Sequence, residues 1–166
     1  MTIQVDTREK SRAIKTILQT FDENDVRYYS SKLFVGDYMS LDNPRLIIDR
    51  KQNLTEVCSN ICQDHERFRA ELIRAQENGI QLIILVEHGD PIYDLEDVRY
   101  WVNPRIKRRV KENGEWVTKT TKAMTGKTLY KILVTMARKY GVQYAFCDKE
   151  NTGKEIIRLL CEQKKT

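Results

Sequence analysis

The sequence has no apolar run near the ~20 residues a membrane-spanning helix needs. Its longest apolar stretch, residues 82–86, suits a buried strand instead. No signal-peptide pattern opens the chain, and a cytoplasmic protein is expected. No internal repeat and no low-complexity stretch occurs, so nothing points to a repeat array. The four cysteines do not form a disulfide framework. Cys58 and Cys62 lie four apart on an apolar helix face, Cys147 ends a predicted strand, and Cys161 lies in the last predicted helix. Reduced core thiols are expected. Cys58, Cys62 and His65 lack a fourth zinc ligand, and their spacing matches no common zinc module. Histidine is scarce too. His65 and His88 are not placed as a catalytic pair, and His88 is expected at the surface. Gly126-Lys127-Thr128 is not a phosphate loop, because Thr121 stands where that loop needs glycine. Thr125 reads as a helix cap.

The 166 residues, 40% apolar and 32% charged, fit one domain with one core over 1–166. The net charge of +5 is unevenly placed. Residues 105–127 hold eight Lys or Arg and two Glu, a charge of +6, against −1 for the remaining 21 basic and 22 acidic residues. A basic segment on a neutral body suits a polyanion, although a solvated loop has the same composition. Within it, Asn113-Gly114 lies between Val110-Lys111-Glu112 and Glu115-Trp116-Val117, a two-residue hairpin signal. A basic hairpin insertion at about 104–124 is therefore expected. Arg105, Lys107, Arg108, Arg109, Lys111, Lys119, Lys122 and Lys127 are its candidate phosphate contacts. Trp116 either stacks on an unpaired base or packs beneath the hairpin, and the ordinary burial of tryptophan favours the second.

Periodicity predicts strands at residues 3–5, 26–33, 38–41, 45–51, 81–86 and 142–147. Helices are predicted at 10–21, from Asn53 as a cap to a stop at Gly79, near 95–101, at 129–140 with a stop at Gly141, and at 155–161. This alternation argues for an α/β fold, a mixed central sheet flanked by helices, with its site at the carboxyl ends of strands.

The most informative residues are Gly36-Asp37-Tyr38 and Ile47-Ile48-Asp49-Arg50-Lys51. A strand alternates its side chains, so Asp49 and Lys51 share one face and Arg50 takes the other. Asn43 and Pro44 suggest that the chain turns back between the two segments. If they pair, Asp37 and Asp49 can hold one divalent cation with Lys51 beside its water, and hard oxygen ligands suit magnesium or manganese. Spacing alone also fits a solvated strand edge.

With Val5-Asp6-Thr7-Arg8-Glu9 before these motifs and Glu66-Arg67-Phe68 after them, the chain resembles the nuclease domain of the XPF family of structure-selective endonucleases. That family belongs to the wider PD-(D/E)xK superfamily, with its restriction-endonuclease-like core. Four short motifs agree in order and spacing. The match is good over about the first ninety residues and looser over 140–161. It is nearest to small stand-alone phage or bacterial versions of the domain.

The resemblance implies a magnesium- or manganese-dependent cut in branched or flapped DNA, carried out by a homodimer. It implies that Asp37 and Asp49 ligate the metal and that Lys51 orients water or steadies phosphate charge. Asp6 and Glu9 bind the metal or tune its surroundings, and Arg8 and Arg50 support the carboxylates or the scissile phosphate. Two departures stand out. The family usually has Glu at the position of Asp49, one methylene longer. It also often has Asp four residues after the lysine, where this chain has Thr55 with Glu56 beside it. The family's tandem helix-hairpin-helix domain is not represented, so DNA grip is expected from the nuclease body, the basic segment or a partner. An inactive junction-binding module and a sequence-specific restriction-type enzyme are the rival readings. Intact Asp37, Asp49 and Lys51 oppose the first, and the lack of an obvious base-reading element opposes the second.

Overall fold

The computed structural model describes residues 1–162. Six strands form one sheet: β1 (Thr2–Val5), β2 (Arg27–Ser30), β3 (Tyr38–Ser40), β4 (Asn43–Lys51), β5 (Gln81–Glu87) and β8 (Gln143–Cys147), in the order β2-β1-β3-β4-β5-β8. β3 runs antiparallel to both neighbours, whereas β1–β2, β4–β5 and β5–β8 are parallel, so the sheet is mixed as expected. The helices are α1 (Lys15–Glu23), α2 (Leu54–Cys62), α3 (His65–Glu77), α4 (Gly126–Tyr140) and α5 (Thr152–Glu162), with a 3₁₀ turn at Glu96–Tyr100. Among the described residues no helix is long and apolar enough to cross a membrane.

Strand alternation splits the core into two layers. Ile47, Leu82, Ile84 and Val86 face α2, α3 and α4 through Leu54, Val57, Phe68, Leu72, Leu129 and Leu133. Leu46, Ile48, Ile83 and Leu85 face α1 and α5 through Ile14, Ile17, Phe21, Ile156 and Leu160. The central strands β4 and β5 are covered on both sides, hence their continuous apolar runs. Capping follows the sequence: Asn53 accepts from the Glu56 amide at 2.8 Å, and Thr125 accepts from the Thr128 amide at 3.2 Å.

Helices α4 and α5 each begin three residues earlier than expected, and three further differences have a visible cause. The first helix begins at Lys15 rather than near residue 10, because 6–13 is taken up by turns such as Glu9 N to Asp6 O at 3.1 Å and Ala13 N to Lys10 O at 2.7 Å. The second strand ends at Ser30, and the Leu33 amide donates to Asp6 Oδ2 at 2.6 Å instead of continuing a ladder. The long helix expected between Asn53 and Gly79 is two helices. The amides of Gln63 and Asp64 both fold back on Ser59 O, at 2.8 and 3.2 Å, and the chain restarts as α3 at His65. All four cysteines are free, but only Cys58 is buried, while Cys62 and Cys161 are exposed, so the expectation of four core thiols is corrected.

Candidate active site and nucleic-acid interface

β3 and β4 bring the acidic motifs together. Gly36 has φ +62°, and a Cβ there would stand 2.6 Å from Ile47 Cγ2, so this sharp entry into β3 admits only glycine. The turn lets the Asp37 amide donate to Ile48 O and the Asp37 carbonyl accept from the Asp6 amide, each at 2.8 Å. The Asp37 side chain then reaches along β4, where Oδ2 accepts from the Arg50 amide at 2.8 Å. Asp49 and Lys51 project to the same side, and Lys51 Nζ donates to Asp49 Oδ1 at 3.0 Å. Nζ is also 2.9 Å from Oδ2, but that oxygen is buried and accepts no hydrogen bond. The Lys51 ammonium lies 5.4 Å from the centre of the Phe68 ring.

The electrostatics follow from this crowding. Burial pushes the Asp37 carboxyl well above its ordinary value. The negative charges of Asp49 and Glu9 add to that, and the Asp37 and Asp49 carboxyls are close enough to share a proton. Burial would lower the Lys51 pKa, but the charge and hydrogen bond of Asp49, with Asp37 and Glu56 behind it, outweigh burial and keep the lysine protonated.

Arg50 goes to the opposite face, as alternation requires. Its Nε and Nη2 grip Glu9 at 2.7 and 3.1 Å, and Nη1 meets both Glu87 oxygens at 3.2 and 3.3 Å. Tyr38 donates to Glu9 at 2.6 Å and Thr152 to Glu87 at 2.9 Å. All three guanidinium nitrogens are therefore engaged. Of the two roles open to Arg50, the structure supports holding carboxylates, not reaching a phosphate. Asp6 is fully buried and has both oxygens engaged, by the Arg8 amide and Nε at 2.8 and 2.7 Å and by the Leu33 amide. Burial opposes its charge, but these hydrogen bonds win and hold the carboxyl below its ordinary range. Asp6 thus aims Arg8 rather than facing the cleft. Arg8 also donates to Gly36 O at 3.1 Å and keeps a side chain 58% exposed.

These groups open into a cavity of about 330 Å³ lined by Arg8, Glu9, Asp37, Asp49, Arg50 and Lys51 from the sheet side. Its other wall is Glu56, Arg67, Glu71 and Arg74. Glu71 and Arg74 were not anticipated. Glu71 accepts from the Gly36 amide at 2.9 Å, and Arg74 donates to Phe34 O at 3.1 Å. Their signal was available: positions 67, 71 and 74 make a polar stripe on α3, beside the apolar stripe of Phe68, Leu72 and Ala75. Glu56, beside the position where the family often has an acid, does face the site.

Among the described residues no three His, Cys, Asp or Glu side chains converge as a cation cage. The donor set is the Asp37–Asp49 pair. It fits magnesium, which keeps several waters and takes one or two carboxylates. The buried Asp49 Oδ2, paired with the Lys51 ammonium but accepting no hydrogen bond, and the crowded Asp37 carboxyl are the groups a cation would engage. A pH dependence follows. Asp37 titrates higher folded than unfolded, so in chelator its contribution to stability is present in acid and lost as pH rises through the raised value. A cation competes with a proton for Asp37, so the rise in melting temperature caused by magnesium should grow as pH rises through that raised value, as melts with and without the ion will show. A magnesium effect that shrinks as pH rises contradicts the pairing.

The basic segment forms the expected hairpin, β6 (Lys107–Glu112) and β7 (Glu115–Thr120). Asn113 and Gly114 at its tip have φ of 50° and 87°, as the two-residue turn demands. Arg105 at its root donates to Ser59 Oγ of α2 at 3.1 Å. A groove lined by Arg105, Ser59, Asn60, Glu56 and Arg67 meets the cavity at the last two residues. The cleft thus runs from the carboxylates to the hairpin root. Arg108 and Lys119 pair on one hairpin face, where Lys119 is also bridged to Glu112. Lys107, Arg109, Lys111 and Trp116 take the other face, and Lys122 and Lys127 lie exposed beyond the hairpin. Trp116 is 62% exposed, so the expectation that it packs beneath the hairpin is corrected. A two-stranded ribbon has no second layer to cover it. His88, expected at the surface, is half-buried and packs edge-on against Trp101, with ring centres 6.3 Å apart.

Residues 5–160 match the ERCC4 domain family. Two solved structures are similar over most of the chain. XPF from Aeropyrum pernix is 20% identical over 99% of this chain and 66% of its own, with a TM-score of 0.65. XPF from Aeropyrum pernix in complex with DNA is 21% identical over 96% of this chain and 62% of its own, with a TM-score of 0.60. At that identity the likeness establishes the fold. This chain spans a little under two thirds of the length of those XPF chains. No curated protein matches the sequence.

Proposed function

The chain belongs to the ERCC4 domain family, and from that membership we propose that it is a metal-dependent endonuclease cutting phosphodiester bonds in branched or flapped DNA. The observation that carries the proposal is the convergence of Asp37, Asp49 and Lys51 in a cleft that leads to a basic hairpin. The nuclease domain takes up the chain, with the hairpin as an insertion at about 104–124. A homodimer acting on host-cell DNA completes the reading.

Asp37 and Asp49 would hold Mg²⁺ or Mn²⁺, which would supply a water of lowered pKa and neutralise charge on the phosphate. Lys51 is anchored by Asp49 and stays protonated, so it acts as an electrostatic clamp on developing negative charge rather than as a base. Arg8, aimed by Asp6 and still open to solvent, takes a phosphate oxygen at the cleft mouth. Arg50 and Glu9 act one step back, fixing the end of β4 that carries Asp49 and Lys51. Arg105, Lys107, Arg108, Arg109, Lys111, Lys119, Lys122 and Lys127 supply phosphate contacts that position the substrate without reading its sequence.

The test is incubation with flap, fork, four-way junction and linear duplex DNA, in magnesium and in chelator. Cutting of the branched substrates in magnesium alone is expected. Binding without cutting would make the protein a junction-recognition module, and sequence-defined cuts in linear duplex would make it a restriction-type enzyme.

A further inference from the structure

We propose that one face of the hairpin is a stacking platform for a single-stranded arm of the DNA substrate. Antiparallel register puts cross-strand partners on the same side of a ribbon. The pairs Lys107–Thr120, Arg109–Thr118 and Lys111–Trp116 therefore share one face. That face holds three cations, two hydroxyls and one indole, and no acidic residue. The opposite face pairs Arg108 with Lys119, Val110 with Val117 and Glu112 with Glu115, and its charge is partly cancelled by the Lys119–Glu112 bridge. The hairpin is thus two-sided, and only one side suits a polyanion throughout.

The indole decides which polyanion. Duplex DNA presents phosphates to a flat basic surface and hides the faces of its bases. A single strand presents both. Trp116 is 62% exposed, and the Arg109 guanidinium lies 5.7 Å from the centre of its ring. A protein gains nothing by leaving a tryptophan in water, whereas an unpaired base would cover the ring face left open beside the arginine. Cations two apart on a strand recur every ~6.7 Å, close to the reach of one nucleotide of extended backbone. Lys107, Arg109 and Lys111 therefore suit successive phosphates while Trp116 holds a base. At the hairpin root Arg105 opens on the groove that meets the cleft, so an arm lying on the platform continues toward Asp37 and Asp49.

The inference rests on the nucleic-acid part of the proposed function and not on the cut. Its test uses the full chain in chelator, where binding is read without cleavage. The probes are a labelled oligothymidylate of about 12 nucleotides, within the span one single-strand site covers, and a duplex of equal length. Trp116→Ala should weaken oligothymidylate binding about tenfold or more and leave duplex binding within about twofold. Trp116→Phe, which keeps a stacking ring, should retain most of the affinity. Replacing Lys107, Arg109 and Lys111 together by serine should flatten the slope of log affinity against log salt by about 2, at roughly 0.7 per lost single-strand phosphate contact. Trp116→Ala should leave that slope unchanged. Equal losses on both probes, no loss on oligothymidylate, or failure of the unmodified chain to bind oligothymidylate would each overturn the platform. Absence of magnesium-dependent cutting alongside the expected binding pattern would instead remove the nuclease reading and leave the platform standing.

Discussion

Asp37→Asn should make the protein more stable in chelator and almost inactive in magnesium. Asp37 and Asp49 are two carboxylates forced together in a partly buried cleft, and burial with mutual repulsion raises the Asp37 pKa well above its ordinary value. The Arg50 amide hydrogen bond and the Lys51 and Arg8 charges favour the ionised side chain but do not outweigh burial and repulsion, and the asparagine Oδ1 can still accept the hydrogen bond. The substitution therefore removes the repulsion and keeps the contact, a gain on the order of 1 kcal/mol or a few degrees in melting temperature. The same change halves the anionic donor set for a cation. Electrostatic stabilisation of a phosphoryl transition state lost in this way costs about 10²–10³ in rate. Thermal melts in chelator and single-turnover cleavage of a flap substrate measure the two effects. An asparagine variant that melts no higher than the parent, or cuts at near the parent rate, would show that positions 37 and 49 do not form the proposed centre.

The sheet-side half of this site was legible in the sequence because strands have a fixed two-residue alternation. Once residues 45–51 read as a strand, Asp49 and Lys51 had to share a face and Arg50 had to leave it, and the structure places them so. The opposite wall was not legible in the same way. Arg67, Glu71 and Arg74 line the cavity from α3, a helix separate from α2 because the chain breaks at Gln63–Asp64. A continuous apolar stripe gives no sign of that break, since the stripe persists on both sides of it. Glu87 and Thr152 were invisible for another reason. Glu87 meets Arg50 through the parallel pairing of β4 with β5, and Thr152 reaches Glu87 through the docking of α5, contacts between residues far apart in sequence.

The fold itself was read at the level of element type and order, and its errors fall where side chains capture backbone. Asp6 takes the Leu33 and Arg8 amides, which shortens β2 and delays α1. Local periodicity cannot register such a long-range capture. Trp116 shows the reverse limit. A general rule about tryptophan burial pointed inward, but a two-stranded ribbon has nowhere to bury it. The same alternation that identified the hairpin also sorts its cations by face, so sidedness was available from register alone.

Arg50→Ala should produce the largest loss of stability. The Arg50 side chain is 4% exposed and bridges Glu9 and Glu87, which are 12% and 2% exposed. Removing the cation leaves two buried carboxylates with only the Tyr38 and Thr152 hydroxyls as partners. Breaking a buried ion pair from one side costs about 3–5 kcal/mol, or roughly 10 °C in melting temperature for a chain of this size. Loss of packing alone would lower stability equally at every pH. Unpaired carboxylates would not. Burying a carboxylate without a partner penalises its charged form alone, so the cost should be greatest where carboxylates are ionised and should ease in acid. The deficit relative to the parent should therefore narrow as pH falls toward the ordinary carboxylate range. Glu87→Gln added to Arg50→Ala should recover part of the loss at neutral pH, because it removes one stranded charge. Urea unfolding of the parent, the single variant and the double variant across pH reads these effects together. A deficit independent of pH, with no recovery in the double variant, would reduce Arg50 to a space-filling residue and leave the positioning of Asp49 and Lys51 to the strand backbone.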